Sequence, residues 1–419
     1  MFIPMSEMEV IILHDFAGFT GGGSAVALGS ARKLAASGVP VTVFSVVGPI
    51  AESLKGLRNL TMVCLGKPEF RDTNRIRAFV EGAWNSHAAG ALEKLLRTKD
   101  PANTVVHVHL WMKALTPSVY ATAFKLGFKV VITLHDFFIV CPNGGFFVYP
   151  KQELCHRTPL SFSCITCSCD RRIYAHKLWR VGRTWLQNHW VRAPERAAYF
   201  IGVSEFSLQI MEKFLPAAVP RSVVRNPIEC EDLGLAPVAE NAPFVFVGRL
   251  VPEKGTMLFA AAARRAGVRA VFVGDGELRP ELERDFPEME ITGWQTPPQA
   301  TEWLRKARAL VFPSTWYETL GMVVVEAAAN GVPVIAADGC AARDVVADGE
   351  RGLLFTHRSE ESLAEKLRIL EKDPALAGRL GRNAYEWYWN NPWTVDAHVD
   401  ELMAVYRKIL LANPVPIAA

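Results

Sequence analysis

Short apolar segments alternate with longer segments of helical periodicity along most of the chain. The apolar segments are rich in valine, isoleucine and phenylalanine, and they end in polar or glycine-rich loops. Buried parallel strands have this composition, and strands that alternate with helices predict an α/β fold with parallel sheets. We place predicted strands at residues 10–13, 39–44, 61–64, 105–109, 130–134, 199–203, 244–247, 271–273, 291–294, 310–312 and 333–336. We place predicted helices from the first glycine loop to Leu34 and at residues 75–97, 207–214, 322–330, 359–372, 374–390 and 392–411.

The segment 311–355 carries two carboxylates at positions that suit a ligand site. Glu318 follows a predicted strand, and Glu326 lies inside the next helix, which ends at Asn330 and Gly331. Ligands of parallel α/β sheets bind at the carboxyl ends of the strands, so Glu318 is predicted to lie at a site. The first residues of the helix would offer free N–H groups to a phosphate. These residues are Leu320, Gly321 and Met322.

Glycine-rich loops follow the first strand of each half of the chain. Gly21, Gly22 and Gly23 separate the first strand from its helix, without the spacing of a dinucleotide-binding fingerprint. Free N–H groups in such a loop suit a phosphate, although the loop could equally be a flexible turn. In the second half, Arg249 and Lys254 follow a strand end, where two cations could neutralise a diphosphate. Three more glycines follow strand ends there, Gly248, Gly274 and Gly276.

Composition narrows the possible classes of protein. The 419 residues are 50% hydrophobic and 21% charged, which suits two ordinary globular domains. The net charge of +3 is too small to indicate nucleic-acid binding. The chain contains no apolar run of about 18 residues, so no membrane span is predicted. The acidic first residues do not resemble a secretion signal. We therefore expect a cytoplasmic protein whose eight cysteines are thiols or metal ligands rather than disulfides.

Glu318 and Glu326, with the residues that follow them, resemble the donor-site signature of the retaining glycosyltransferases of family 4. The likeness continues through Gly331 and residues 333–336 to residues 348–354. It implies a GT-B fold, in which two Rossmann-like, doubly wound domains face each other across a cleft and a C-terminal helix crosses back to the N-terminal domain. The implied units are an acceptor-side domain at 1–228, a nucleotide-sugar-binding domain at 229–392 and the returning helix at 393–419.

The resemblance also implies roles for individual residues. Glu326 would bind ribose hydroxyls and Glu318 the transferred sugar. Arg249 and Lys254 would stabilise the departing diphosphate, so that catalysis needs no divalent metal. His135, at the end of a strand, is placed like the family's histidine near the transferred sugar. The donor-binding candidates are Gly21, Gly22, Gly23, Gly248, Gly274, Gly276, Leu320, Gly321, Met322 and Glu326.

The expected reaction follows from these roles. A sugar would pass from a nucleoside-diphosphate sugar to a saccharide or lipid-linked acceptor with retention of configuration, in the synthesis of cell-surface polysaccharide or glycolipid. A protein acceptor also stays open. The alternatives are a GT-B phosphorylase, a sugar epimerase and a non-catalytic nucleotide-sugar-binding protein.

Five cysteines are concentrated in the segment 141–169, and two of them have the Cys-x-x-Cys spacing of metal ligands. Some members of family 4 resemble the chain here as well. A structural zinc ion bound by four of the cysteines is one hypothesis, and free thiols or an iron–sulfur site are the others. The predicted zinc ligands are Cys141, Cys155, Cys164 and Cys167.

The segment 171–196 is basic and rich in tryptophan. Such a helix suits peripheral contact with the inner face of an anionic membrane. It is equally consistent with an ordinary domain helix that has a solvated basic face. The basic residues considered are Arg171, Arg172, Lys177, Arg180, Arg183, Arg192 and Arg196.

Overall fold

The computed structural model describes residues 8–70 and 74–412, which form two α/β domains. The predicted N-terminal domain begins at residue 1 and the predicted returning helix ends at residue 419, so both of these boundaries lie outside the described residues. Each domain is built on one parallel sheet, and helices cover both faces of that sheet. The predicted α/β class is confirmed.

The N-terminal sheet has seven parallel strands in the order β3-β2-β1-β4-β5-β8-β9, and a two-stranded hairpin, β6-β7, lies outside it. This order reverses between β1 and β4, as in doubly wound folds. The strands are β1 (Glu9–Leu13), β2 (Val41–Ser45), β3 (Leu60–Cys64), β4 (Thr104–Val108), β5 (Lys129–Leu134), β6 (Phe147–Val148), β7 (Glu153–Leu154), β8 (Tyr199–Gly202) and β9 (Arg221–Val223). The helices are α1 (Gly22–Ala36), α2 (Arg75–Ala83), α3 (Ser86–Leu96), α4 (Ser118–Lys125), α5 (Phe162–Ile165), α6 (Tyr174–Trp185), α7 (Ala193–Arg196) and α8 (Glu205–Glu212).

The C-terminal sheet has six parallel strands in the order β12-β11-β10-β13-β14-β15, which again reverses beside its first strand. The strands are β10 (Phe244–Val247), β11 (Ala270–Val273), β12 (Glu290–Gly293), β13 (Ala309–Phe312), β14 (Val334–Ala337) and β15 (Gly352–Phe355). The helices are α9 (Thr256–Ala266), α10 (Arg279–Asp285), α11 (Pro297–Arg305), α12 (Met322–Ala329), α13 (Glu360–Lys372), α14 (Pro374–Asn390) and α15 (Val395–Leu411).

The last helix, α15, returns to the N-terminal domain as expected. Its apolar side packs into the core on one face of the N-terminal sheet. The Tyr406 hydroxyl lies 2.6 Å from the His107 Nδ1, and the His398 Nε2 lies 2.9 Å from the Ser30 hydroxyl. The chain crosses between the domains twice at neighbouring points, since the Ile228 N–H donates to the Trp393 carbonyl (2.8 Å).

The helical periodicity of residues 75–97 is confirmed, but the segment is interrupted. Two helices, α2 and α3, occupy this segment and are separated at Trp84 and Asn85. Asn85 is buried, and its Oδ1 accepts a hydrogen bond from the Ala88 N–H (3.0 Å), which caps the new helix. This local capping bond favours a break that the apolar periodicity does not reveal.

The predicted basic face of the segment 171–196 is wrong for three of its cations. Lys177 and Arg183 are buried, and Arg180 pairs with the buried Asp170 (3.1 Å). The Arg183 guanidinium donates a hydrogen bond to the Met112 carbonyl (3.1 Å), which holds α6 against the rest of the N-terminal domain. Arg171, Arg172 and Arg192 remain exposed. Four large apolar side chains of this segment are exposed as well, namely Ile173, Leu178, Trp185 and Trp190.

Candidate active site

A cleft of about 310 Å³ lies between the carboxyl ends of the two sheets. The N-terminal domain contributes the start of α1 and the end of β5 to its walls. The C-terminal domain contributes the loop before α12 and the first turn of that helix. Residues 318–323, which include the predicted donor-binding residues before and at the start of α12, line this cleft.

Lys254 and Glu318 meet in the cleft. The Lys254 Nζ lies 2.6 Å from the Glu318 Oε2, and both side chains are largely buried. The same carboxylate oxygen accepts hydrogen bonds from the Trp316 indole (3.0 Å) and the Ser314 hydroxyl (3.3 Å). Lys254 and Glu318 are 64 positions apart in the chain, and the strand ends of one sheet bring them together.

The charge state of Glu318 is set by these contacts. Burial by itself would raise the pKa of the carboxyl, but the attraction of Lys254 and the three hydrogen bonds outweigh it and hold the pKa below the ordinary value. Glu318 is therefore an anion at neutral pH. It holds the Lys254 ammonium at the wall of the cleft, where a phosphate would meet it.

The start of α12 is shaped by Gly321. This residue has a φ of 78°, and a Cβ there would lie 2.6 Å from the Phe312 Cζ. Only glycine fits such a left-handed position against an aromatic ring. The first two N–H groups of α12, those of Met322 and Val323, have no backbone carbonyl partner among the described residues, and both residues line the cleft.

The N-terminal glycine loop lies on the opposite wall. Gly22 and Gly23 line the cleft, whereas Gly21 precedes α1 and does not. A Cβ on Gly22 would lie 3.0 Å from the Met322 Sδ, so the two helix starts approach each other closely. Two sets of helix N–H groups thus converge on one space, an arrangement that suits an anion.

His135 lines the cleft and is held from behind by a second histidine. Its Nε2 lies 2.8 Å from the His109 Nδ1, and the two rings are stacked with centroids 5.1 Å apart. Burial, with the charges of neighbouring histidines, lowers the pKa of His135 to about 3. His135 is therefore a neutral ring at physiological pH, and it would act as a hydrogen-bonding group rather than a cation.

Two further polar residues that line the cleft, Thr319 and Asn226, and one that bonds to its wall, Ser204, were not selected as site residues from the sequence. The Thr319 hydroxyl donates to the His135 carbonyl (3.1 Å), and the Ser204 hydroxyl donates to the Thr319 carbonyl (2.6 Å), so the domains are joined at the cleft itself. Asn226 lines the cleft, and its buried Oδ1 has no hydrogen-bond partner among the described residues. Each follows a strand end, and this is the one signal in the sequence that could have found them.

Glu326 lies one turn beyond the residues of α12 that line the cleft. The spacing places it on the same side of the helix as Met322 and Val323. Its carboxylate has no hydrogen-bond partner in the described part of the chain, and burial raises its pKa. Its predicted contact with ribose stays a prediction.

The other predicted donor residues lie outside the lining of the cleft. Arg249 is exposed and has no ion pair with a described residue. Arg249 lies near the phenol of Tyr149. Burial raises the pKa of Tyr149 to about 12, and the positive charge of Arg249 partly opposes this rise. Gly248 is part of the same turn. A Cβ on Gly274 would lie 2.0 Å from the Gly248 carbonyl oxygen, and one on Gly276 would meet the backbone of Leu250, so these two glycines serve chain packing.

The cysteine-rich segment forms a second, smaller site. Cys141, Cys155, Cys164, Cys167 and Cys169 line one cavity of about 10 Å³ beside the buried Lys177. All five are free thiols. Within residues 8–70 and 74–412, no group of three or more His, Cys, Asp or Glu side chains has the geometry of a formed metal site.

Comparison with protein families accounts for both domains. A model described as "Glycosyltransferase Family 4" matches residues 20–232, and one described as "Glycosyl transferases group 1" matches residues 236–387. The chain belongs to glycosyltransferase family 4. The two matched regions correspond to the two sheets that face the cleft.

Curated relatives of this family 4 protein are named as glycosyltransferases of different kinds. A GDP-mannose-dependent alpha-mannosyltransferase of Mycobacterium tuberculosis is 33% identical over 41% of this chain and 44% of its own length. A D-inositol 3-phosphate glycosyltransferase of Thermomonospora curvata is 26% identical over 97% of this chain and 96% of its own. This chain spans less than half the length of three of its curated relatives, the mannosyltransferase among them: the matched shares are 44%, 44% and 47%.

Solved structures of glycosyltransferases share the GT-B architecture of this family 4 protein. Anabaena HepE in complex with UDP-glucose superposes with a TM-score of 0.65 at 17% identity, over 96% of this chain and all of that one. A sucrose-phosphate synthase from Thermosynechococcus elongatus superposes with a TM-score of 0.70 at 16% identity, over 97% and 100%. The predicted GT-B fold is confirmed. Among the described residues, none of the helices is both long and apolar enough to span a bilayer.

Proposed function

We propose that this protein transfers a sugar from a nucleoside-diphosphate sugar to a saccharide or lipid-linked acceptor, with retention of the anomeric configuration. The pathway we propose is the synthesis of cell-surface polysaccharide or glycolipid. A relative whose name specifies GDP-mannose, and a structural neighbour in complex with UDP-glucose, support the donor class.

The observation that carries this proposal is the convergence of Lys254 with two helix starts on one cleft. A diphosphate between them would accept hydrogen bonds from the N–H groups at Gly22, Gly23 and Met322, and it would meet the Lys254 ammonium. Because the cleft is partly closed to solvent, these interactions are stronger than they would be in water.

The chemical step is assigned to Lys254 and to the other predicted site residues. As the bond between the sugar and the diphosphate breaks, negative charge grows on the leaving phosphate, and Lys254 and Arg249 stabilise it. Glu318 orients Lys254 and contacts the transferred sugar, and Glu326 binds the ribose. His135, as a neutral ring, positions a hydroxyl of the sugar without adding charge.

Retention follows from a front-face reaction. The departing phosphate takes the proton of the acceptor hydroxyl as that hydroxyl attacks from the side that the phosphate leaves. Because Lys254 and Arg249 supply the positive charge, we propose that catalysis needs no divalent cation, and turnover should survive a chelator.

Product analysis tests the reaction class. The protein is incubated with a labelled nucleotide sugar and a panel of saccharide and lipid-linked acceptors, and the products are resolved by NMR. Appearance of a glycoside with the donor's anomeric configuration supports the proposal. A sugar 1-phosphate formed with free phosphate would indicate a phosphorylase, an isomerised sugar an epimerase, and binding without turnover a non-catalytic protein.

Peripheral membrane contact is proposed on the exposed apolar side chains of α2, of α6 and of the segment Leu186–Trp190 that follows α6, rather than on a basic face. Trp185 and Trp190 are 53% and 73% exposed, and Phe79 and Val80 of α2 are 61% and 59% exposed. The Trp179 indole donates to the Phe79 carbonyl (3.0 Å), so the two helices present these groups together. Aromatic side chains of this kind insert at the lipid interface. Liposome co-sedimentation of the wild type and of Trp185→Ser/Trp190→Ser tests this contact, and equal binding of both proteins would contradict it.

A further inference from the structure

The buried ammonium of Lys177 lacks an ordinary counter-ion. Lys177 is 1% exposed, and its one side-chain hydrogen bond among the described residues is to the Cys164 Sγ (3.3 Å). The buried carboxylate of Asp170 is paired with Arg180 (3.1 Å). A buried cation that faces neutral thiols is costly, typically by several kcal/mol. Negative charge on the neighbouring sulfurs would therefore stabilise the buried ammonium of Lys177.

The sulfurs are held close together by local backbone structure. Cys164, Cys167 and Cys169 lie on one tight turn, where the Cys167 N–H donates to the Cys164 carbonyl (3.3 Å) and the Cys169 N–H donates to the Cys167 carbonyl (2.9 Å). The Cys155 N–H donates to the Phe146 carbonyl (2.6 Å), which fixes the β6-β7 hairpin over the same cavity. Cys141 closes the cavity from the end of the β5 loop.

We propose that this cavity binds a single thiophilic divalent cation of the zinc type, held by four thiolates from the five cysteines. Zinc prefers four tetrahedral sulfur ligands at about 2.3 Å, and binding it deprotonates the thiols. Since the sulfurs do not yet stand in coordination geometry, the cation must draw them inward as it binds.

Charge and volume both favour one ion. Four thiolates around a divalent cation carry a net charge of about −2. Lys177 and Arg157, whose Nη1 lies 3.8 Å from the Cys155 Sγ, supply two positive charges beside them. The cavity volume of about 10 Å³ is that of about one water-sized sphere, which suits a single ion and is too small for an iron–sulfur cluster.

The ion would also support the boundary between the domains. Arg171 follows the cysteine turn and forms ion pairs with Glu253 (3.4 Å) and Glu277 of the C-terminal domain. Glu253 is the neighbour of Lys254 in the chain. On the other side, a Cβ on Gly145 would lie 3.5 Å from the Trp316 ring. The cysteine-rich segment is thus the part of the N-terminal domain that packs on the loop of Lys254.

Metal analysis of the full chain tests the proposal. The protein is purified without metal-affinity steps, and its metal content is measured by mass spectrometry of the native protein and by elemental analysis. We expect about one zinc per chain, a lower melting temperature after chelation, and recovery when zinc is added. Protein with no bound metal, whose melting temperature does not rise on adding zinc under reducing conditions, would overturn the proposal, as would iron with acid-labile sulfide.

Cobalt substitution provides a readout that does not depend on any enzyme activity. Co²⁺ bound by four thiolates should give thiolate-to-cobalt charge-transfer bands and the intense visible bands of tetrahedral cobalt. Cys164→Ser/Cys167→Ser should lose these bands, whereas Cys64→Ser, a half-buried cysteine outside the cavity, should keep them. Should the double variant not fold, the spectrum of the cobalt-loaded wild type decides by itself, because octahedral or absent bands would contradict thiolate binding.

Discussion

At the scale of single residues, the cleft pairs one anion with one cation and adds a neutral histidine. Glu318 stays ionised because Lys254 is within 2.6 Å, and His135 stays neutral because it is buried among other histidines. The cleft therefore offers positive charge from Lys254 and hydrogen bonds from uncharged groups, which is what a diphosphate and a sugar require.

The neutral state of His135 predicts a dependence of stability on pH. Its pKa is about 3 when folded and about 6.5 when unfolded, so the unfolded chain binds the extra proton between these values. The free energy of unfolding should therefore fall as pH drops from about 6.5 towards 3, by up to about 1.4 kcal/mol per pH unit for this residue. Urea denaturation of the wild type and His135→Gln across this range measures it, since the variant should have a shallower slope. His87→Gln, an exposed position of α3, is the control, and an unchanged slope in His135→Gln would contradict the assignment.

Gly321 should not tolerate a side chain. Gly321→Ala places a Cβ 2.6 Å from Phe312 at a φ of 78°, and a left-handed non-glycine residue costs about 1–2 kcal/mol before the clash is added. We expect a loss of at least about 1 kcal/mol in the free energy of unfolding, together with weaker nucleotide binding. Gly90→Ala in α3, where a Cβ meets nothing within 4 Å, is the control and should be neutral or stabilising. Equal stability of the two variants would argue against a fixed start of α12.

At the scale of elements, the site consists of strand ends and helix starts from both sheets. Glu318 and Lys254 follow β13 and β10, which are neighbours in the C-terminal sheet, whereas Gly22 and His135 follow β1 and β5 of the N-terminal sheet. The ion pairs of Arg171 add a contact between the cysteine-rich segment and the loop of Lys254.

Arg171 should affect donor affinity more than its neighbour does, a prediction that rests on the proposed function. Arg171→Ala removes two ion pairs beside the Lys254 loop and should raise the KM for the donor by up to about fivefold, equivalent to about 1 kcal/mol, with little change in kcat. Arg172→Ala, an exposed arginine at the next position, should behave as the wild type. The same KM in both variants would show that the contact does not support the loop.

Elements with a strong local pattern were predictable from sequence, whereas contacts across the sheets were not. α12 begins at Met322 and Ser204 caps α8, accepting from the Ser207 N–H (3.0 Å), as the local sequence indicates. The partnership of His109 with His135 depends on two strands lying side by side, which no local pattern reveals. The inward direction of Lys177 likewise depends on the cavity that it faces.

At the scale of the whole molecule, two doubly wound domains meet around a cleft, and α15 ties the C-terminal end of the chain to the N-terminal domain. The Thr319 and Ser204 hydrogen bonds and the Arg171 ion pairs join the two domains. A ligand that bridges both walls should therefore stabilise the molecule as one unit, and nucleoside diphosphates that bind should raise its melting temperature.

We propose that Lys254, together with Arg249, stabilises the diphosphate as it departs. The most direct measurement is the release of nucleoside diphosphate from a panel of nucleotide sugars, with acceptor and a chelator present. The wild type should turn over at least one donor, and Lys254→Ala and Arg249→Ala should each lose on the order of 10²–10³ in rate. Lys372→Ala, an exposed lysine at the end of α13, should keep full activity. Turnover near the wild-type rate in both Lys254→Ala and Arg249→Ala, or no release from any donor by the wild type, would contradict the account.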